Sequence, residues 1–233
     1  NINAYSKARA AGIWQFIPST GRMFLKINFM VDERRDPLIA TRAAARLLKS
    51  NYAKLETWPL AITAYNHGAA GMGRAVRKVG TRDLIKIIRH YKGRSFGFAS
   101  RNFYAELLAA IEVEHNTQKY FGELERQPML AYDEVELKDF VSLRNLASCA
   151  NASPEQLFAL NRSFGEYIQE GKLYVPRGHR LRIPAGARAQ FQEQYAALDS
   201  RDKAKKQRSI FAFHKVRRGQ TLGGIARDYG TRI

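Results

Sequence analysis

Ala11-Gly12-Ile13-Trp14-Gln15-Phe16-Ile17-Pro18-Ser19-Thr20-Gly21 is the stretch on which the reading of this chain turns. It is apolar, aromatic and bounded by glycines, with one neutral amide, Gln15, between two aromatic rings. Taken singly, Gln15 reads as a surface residue, and Trp14 and Phe16 as core residues rather than stacking platforms. Two more stretches follow it in order. Ala61-Ile62-Thr63-Ala64-Tyr65-Asn66-His67-Gly68 closes an apolar helix, and Gly68, Gly71 and Gly73 then read as a glycine-rich turn. Ser100-Arg101-Asn102-Phe103-Tyr104 leads into a longer helix expected from about Asn102 to Tyr120, with Phe103, Leu107, Ile111 and His115 on one face.

The segments between these stretches are also helical in pattern. Asp36 can cap a helix whose first residue is Pro37, and Ala44, Leu48, Tyr52 and Leu55 recur at helical spacing. Thr57 precedes a helix starting near Pro59. Thr81 is expected to cap a further helix that carries Leu84, Ile88 and Tyr91 and stops at Gly93. Residues 1 to about 125 therefore read as one mainly α domain. The run Asp32-Glu33-Arg34-Arg35-Asp36 reads as a solvated charge segment.

In their order, the three stretches resemble the lysozyme-like lytic transglycosylases, enzymes that cut peptidoglycan glycan strands. The resemblance implies a mainly α lysozyme-like fold. It also implies that Gln15, Tyr65 and Asn66 are neutral groups that orient the sugar, and that a tyrosine position of the family falls on Phe103 or its neighbour Tyr104. In that family one glutamate, in a Glu-Ser motif a few residues before the first stretch, acts as acid and then as base. The 6-hydroxyl of the N-acetylmuramic acid attacks, giving a 1,6-anhydro product. A matching glutamate would lie just upstream of Asn1, so no catalytic residue is expected within residues 1–233. Glu33, Glu56, Glu106, Glu112 and Glu114 are available as alternative acids, but Glu33 sits in the charged run 32–36 and Glu106 reads as a surface residue on the opposite helix face, so none of the five is expected to serve. No cofactor is implied. His67 has no second ligand at metal-binding spacing.

After Pro128 the pattern changes. Val135 and Leu137 alternate with charged residues as in a strand. Helices follow from Ser142 to about Cys149 and, after the capping box Ser153-Pro154-Glu155-Gln156, through Leu160. Leu181-Arg182-Ile183 ends the unit as a second strand. This order over residues 130–185 fits a small α+β module similar to LysM, a peptidoglycan- and chitin-binding unit. Residues 186–210, with Lys203, Lys205, Lys206 and Arg208, read as a basic linker, partly helical from Gln190 to Leu198. Residues 211–233, through His214-Lys215-Val216-Arg217-Arg218-Gly219-Gln220-Thr221-Leu222, resemble the first half of another LysM module.

Composition limits the partners. With 39 Lys and Arg against 21 Asp and Glu, the formal charge is +18, which favours a polyanionic partner such as an acidic cell-wall polymer. No aromatic–basic single-strand platform or recognition helix supports nucleic acid. No run reaches the ~18 apolar residues of a membrane span. The resemblance implies peptidoglycan strands as partner, a periplasmic or outer-membrane-associated place in the bacterial envelope, and possible anchoring through a segment before Asn1. Cys149, in an apolar helical pattern, reads as a structural thiol. Two other readings stay open: a non-catalytic peptidoglycan-binding protein with a lysozyme-like fold, and a hydrolase related to goose-type lysozyme.

Overall fold

In the computed structural model, residues 4–210 and 214–232 are described; residues 211–213, where the last expected segment begins, lie outside the described residues. The chain divides into two units, Asn1–Ala131 with Asn161–Ser163, and Tyr132–Leu160 with Phe164–Ile233. The first unit is helical: α1 (Pro18–Gly21), α2 (Pro37–Leu55), α3 (Trp58–His67), α4 (Ala69–Val79), α5 (Leu84–His90), α6 (Phe98–His115) and α7 (Thr117–Phe121).

Capping chemistry sets most of these boundaries. Asp36 Oδ1 accepts from the backbone N–H groups of Leu38 (3.1 Å) and Ile39 (3.0 Å), and Pro37 fills the first turn of α2, as expected. α5 is capped by Asp83, whose Oδ1 accepts from Ile85 and Lys86 N–H, not by Thr81; the helix stops at Tyr91, two residues before Gly93. The long final helix breaks at Asn116, so α6 ends at His115 and α7 is a separate turn.

The glycine-rich turn expected after Asn66 is instead a corner one residue long. Gly68 (φ +83°) ends α3 and starts α4, while Gly71 and Gly73 lie inside α4. At Gly71 the helix needs the missing side chain: a Cβ there would stand 2.7 Å from Cδ2 and Nε2 of His67. Close helix approach, not turn conformation, explains this glycine.

α3 is the central helix, packed against α2, α4 and α6. Small residues at the crossings, Ala40, Ala43 and Ala44 on α2 and Ala61 and Ala64 on α3, are buried and let the backbones approach. One core cluster joins Leu55, Leu60, Ala64, Met72, Ala75, Leu84, Ile87, Tyr91 and Phe96. A second gathers Phe16, Leu25, Ala43 and Ala44, with Trp14, Ile39, Leu47 and Tyr65 around it. This second cluster places the first sequence stretch against α2 and α3.

The second unit contains β1 (Tyr132–Glu136), α8 (Leu143–Cys149), α9 (Pro154–Leu160), α10 (Glu166–Gln169), β2 (Arg180–Pro184), α11 (Arg188–Ala197) and α12 (Leu222–Asp228). β1 and β2 pair antiparallel, with Val135 opposite Leu181 and Glu136 opposite Arg180. The expected order of strand, helix, helix and strand is present with one addition, the short α10 between α9 and β2. Ser142 caps α8, and Ser153 with Gln156 forms a reciprocal capping box: Gln156 N–H donates to Ser153 Oγ (3.2 Å), and Ser153 N–H donates to Gln156 Oε1 (2.8 Å). Cys149 is buried, and burial raises its thiol pKa.

Residues 186–208 depart from the linker reading. Phe191 of α11 is buried, α11 packs on α8, Ala204 bridges Phe140, and Gln207 exchanges bonds with the backbone of Tyr174. The lysine-rich composition hid these contacts, because only Phe191 and Tyr195 mark an apolar face on α11. In the terminal segment, Thr221 caps α12 and His214 meets Gln220 Oε1 (2.8 Å) and the Tyr229 hydroxyl (3.2 Å). Among its described apolar residues Val216, Leu222 and Tyr229 are exposed, Ile225 is half-buried and Ala226 is buried.

Candidate active site

The first stretch folds into a tight loop closed on itself. Ala11 N–H donates to Phe16 C=O (3.2 Å), and Gln15 N–H donates to Gly12 C=O (3.2 Å). Gly12 (φ +74°) and Gln15 (φ +48°) both take the left-handed conformation that such a reversal requires. The loop is held from behind by Arg34. Its Nη1 donates to the carbonyls of Arg9 (2.7 Å) and Phe16 (3.0 Å), while Nε and Nη2 bind Asp32 Oδ1 (2.9 Å) and Oδ2 (2.7 Å). The hydrogen bond to Asp32 is the main cause that raises the Arg34 pKa, against the opposing cost of burial. Arg34 is 3 % exposed and Asp36 1 % exposed, so this run is a structural anchor rather than the solvated segment expected.

The loop forms one wall of a cleft of about 780 Å³, with α2, α3 and α6 as the others. Gln15, Tyr65, Asn66 and Phe103 all line it, although they are spread over 89 positions of sequence (15 to 103). Tyr104 does not join them: it packs at the edge of the core cluster around Leu60 and Phe96. Of the two residues left open for the family's tyrosine position, Phe103 is the one at the cleft.

Each polar group in the cleft is held in a particular way. The Tyr65 hydroxyl donates to Trp14 C=O (2.8 Å), and burial pushes its pKa far above the ordinary phenol value. Its ring lies parallel to Phe103 (centroids 6.2 Å, 8° between planes) and meets Trp14 and Phe16 at a tilt. Trp14 Nε1–H donates to Thr41 Oγ1 (2.7 Å), which fixes the indole at the cleft wall. Gln15 Nε2 turns back to Gly12 C=O (2.7 Å), so the Oε1 end of this amide is the one available to a ligand. Asn66 Oδ1 accepts from the Ser100 hydroxyl at 2.7 Å.

Sequence reasoning gave no site role to Glu106, Leu107 or Ser100. Glu106 and Leu107 line the cleft together with Phe103, at i+3 and i+4 on α6; that spacing was available to find them. Glu106, expected to be a surface residue, is the only carboxylate on the lining among the described residues. Ser100 carries no sequence signal for its contact with Asn66, 34 positions away.

His67 lines the cleft at its junction with a smaller hollow of about 340 Å³. Its ring packs edge-on against Phe96 (5.0 Å) and Tyr91 (6.5 Å), and its Nε2 is buried without a hydrogen-bond partner. Burial lowers the imidazole pKa, repulsion from Arg74 adds to this, and a bond to the Ser95 backbone opposes it. The unfolded chain therefore takes up a proton at this residue at a higher pH than the folded one. Stability contributed by neutral His67 is present above the ordinary imidazole value of 6.5 and is lost as pH falls through and below it. Urea unfolding followed between pH 8 and 5 should show this loss, and His67→Gln should flatten it; an unchanged pH slope in the variant would remove His67 as its source.

No group of three or more His, Cys, Asp or Glu suited to holding a metal occurs among the described residues, and no described helix is long and apolar enough to cross a membrane.

Residues 1–88 match the family described as Transglycosylase SLT domain, which covers the first two of the three motifs and most of the helices that build the cleft. This match supports the lytic transglycosylase reading of the first unit. Beyond it, the chain is similar to Membrane-bound lytic murein transglycosylase D of Escherichia coli strain K12 and of E. coli O6:H1 strain CFT073. Each is 28% identical over 98% of this chain. The chain spans about half the length of these relatives (51%).

Proposed function

We propose that the cleft of the first unit binds a peptidoglycan glycan strand, and that this chain belongs to a lytic transglycosylase of the bacterial envelope. The reaction is cleavage of the β-1,4 bond between N-acetylmuramic acid and N-acetylglucosamine, with formation of 1,6-anhydro-N-acetylmuramic acid. The observation that carries this reading is the convergence of Gln15, Tyr65, Asn66 and Phe103 on one cleft in a domain that matches the SLT family. A reaction driven by one acid–base carboxylate and an internal hydroxyl needs few charges in the site and several neutral groups to orient the sugar. The cleft supplies a phenol ring, two restrained amides and an apolar floor.

The acid, on this reading, is a glutamate that precedes the Ala11–Gly21 stretch, as the motif order of the family implies. Residues 1–233 then supply binding and orientation. Glu106 on α6, an exposed residue of the lining, is not assigned the proton transfer. The second unit and the segment 214–232 are read as LysM-like wall-binding elements, and the +18 charge as an aid to holding an anionic polymer.

The test is product analysis on purified sacculi. Residues 1–233 should yield no anhydro-muropeptides. The same protein extended at its N-terminus by a segment that carries the family's Glu-Ser motif should yield them, with a gain on the order of 10²–10⁴ from one positioned acid–base group. Anhydro product from residues 1–233 that disappears with Glu106→Gln would move the acid to α6. Binding without product from the extended protein would favour a non-catalytic wall-binding role.

A further inference from the structure

We propose that Ser100 is a positioning residue that locks the Asn66 amide with its N–H₂ end toward the cleft, so that the ligand atom met there is an acceptor oxygen, the carbonyl of an N-acetylated sugar. The inference rests on the glycan reading of the cleft and adds to it which end of Asn66 the sugar meets.

A primary amide can offer either a carbonyl or an N–H₂ group, and an unrestrained one turns to suit whatever ligand arrives. Asn66 sits in the last turn of α3, exposed at the cleft. Ser100 sits in the first turn of α6, only 5 % exposed, and its hydroxyl donates to Asn66 Oδ1 at 2.7 Å. A hydroxyl has one proton, and here it is committed. The carbonyl end of the amide is therefore engaged from within the fold, and Nδ2 keeps its two donors for the cleft side. The hydroxyl is itself placed by its surroundings. His67 Nδ1 lies 3.5 Å from Ser100 Oγ, and the His67 ring is wedged among Phe96, Tyr91 and the bare Cα of Gly71.

Gln15 is restrained the opposite way, with its N–H₂ on Gly12 C=O and its carbonyl end left over. The cleft thus offers a fixed donor at Asn66 and a fixed acceptor at Gln15. An acetamido group carries one acceptor, its C=O, and one donor, its N–H. A strand of N-acetylated sugars presents both along its length, whereas a de-acetylated amino sugar lacks the carbonyl. Preorientation of Asn66 makes the cleft selective for the acetylated form, because turning the amide would break the Ser100 bond.

The test uses isothermal titration of the chain with the tetramer of N-acetylglucosamine and with its fully de-acetylated counterpart. Wild type should prefer the acetylated tetramer. Ser100→Ala should weaken that binding by about 2- to 12-fold, the range of one neutral hydrogen bond. In an Asn66→Ala background, Ser100→Ala should cost nothing further, since its effect passes through Asn66. Asn66→Asp, at an exposed position, keeps an oxygen for Ser100 and replaces the outward N–H₂ by oxygen; it should also lose the preference. Wild-type affinity in Ser100→Ala, an equal loss in both backgrounds, or a preference retained by Asn66→Asp would each overturn the proposal while leaving the glycan reading intact. Failure of wild type to bind either tetramer would overturn that reading itself.

Discussion

Gly12→Ala is expected to lower the stability of the first unit by about 2–6 kcal/mol. Two independent costs combine. Alanine must be held at φ +74°, which costs about 1–3 kcal/mol. Its Cβ would also lie 1.9 Å from the backbone carbonyl oxygen of Arg34, an overlap that no rotamer change relieves. Inserting an atom into a well-packed position typically costs a further ~1–3 kcal/mol. Against a total stability of about 5–15 kcal/mol, this is a large share. Urea denaturation with tryptophan emission as the probe would measure it, and a midpoint unchanged from wild type would mean that the loop can be rebuilt without this contact.

Removal of the Arg34 side chain should have an effect of similar size. Arg34→Met keeps much of the aliphatic stem but removes the guanidinium donors of the Asp32 carboxylate and of the Arg9 and Phe16 carbonyls, leaving only the backbone N–H of Arg34 on Asp32 and that of Ala11 on Phe16. Breaking one side of a buried ion pair costs about 3–5 kcal/mol. Arg34→Lys is the sharper test. It retains the charge but cannot reach two carbonyls and both carboxylate oxygens with one ammonium group. It should recover only a minor part of the loss. Full recovery by lysine would show that charge alone, and not the forked geometry, holds the loop. Both substitutions should also reduce glycan binding, because the loop they release carries Trp14 and Gln15.

The elements that the sequence made legible are those fixed by local chemistry. Asp36-Pro37 and Ser153-Pro154-Glu155-Gln156 satisfy helix N-termini within a few residues, so neighbours in sequence suffice to find them. The cleft residues were legible because three motifs come in a known order. What stayed hidden depends on distant partners. The charged run 32–36 looks solvated until Arg34 is seen to close over the carbonyls of Arg9 and Phe16. Gly71 and Gly73 argue for a turn by composition, and only the His67 ring above α4 explains why a glycine belongs in a helix there. Residues 186–208 are polar in sequence yet pack through Phe191 and through backbone pairing of Ala204 with Phe140. The choice between Phe103 and Tyr104 needed the azimuth of α6, which adjacent residues in a sequence do not give.

The placement of the two tryptophans gives the cleft a built-in optical signal. Trp14 lies on the cleft wall with its indole N–H bound to Thr41, and its ring faces Tyr65 at 5.9 Å. Trp58 lies at the start of α3, half exposed and tilted against Tyr52 at 4.7 Å, and it is not among the residues that line the cleft. Occupancy of the cleft therefore changes the solvent exposure of one emitter and leaves the other as an internal reference. Replacing Trp58 by phenylalanine would isolate the Trp14 emission. Ligand titrations could then be read without labels, and filling of the cleft distinguished from attachment elsewhere on this strongly basic protein.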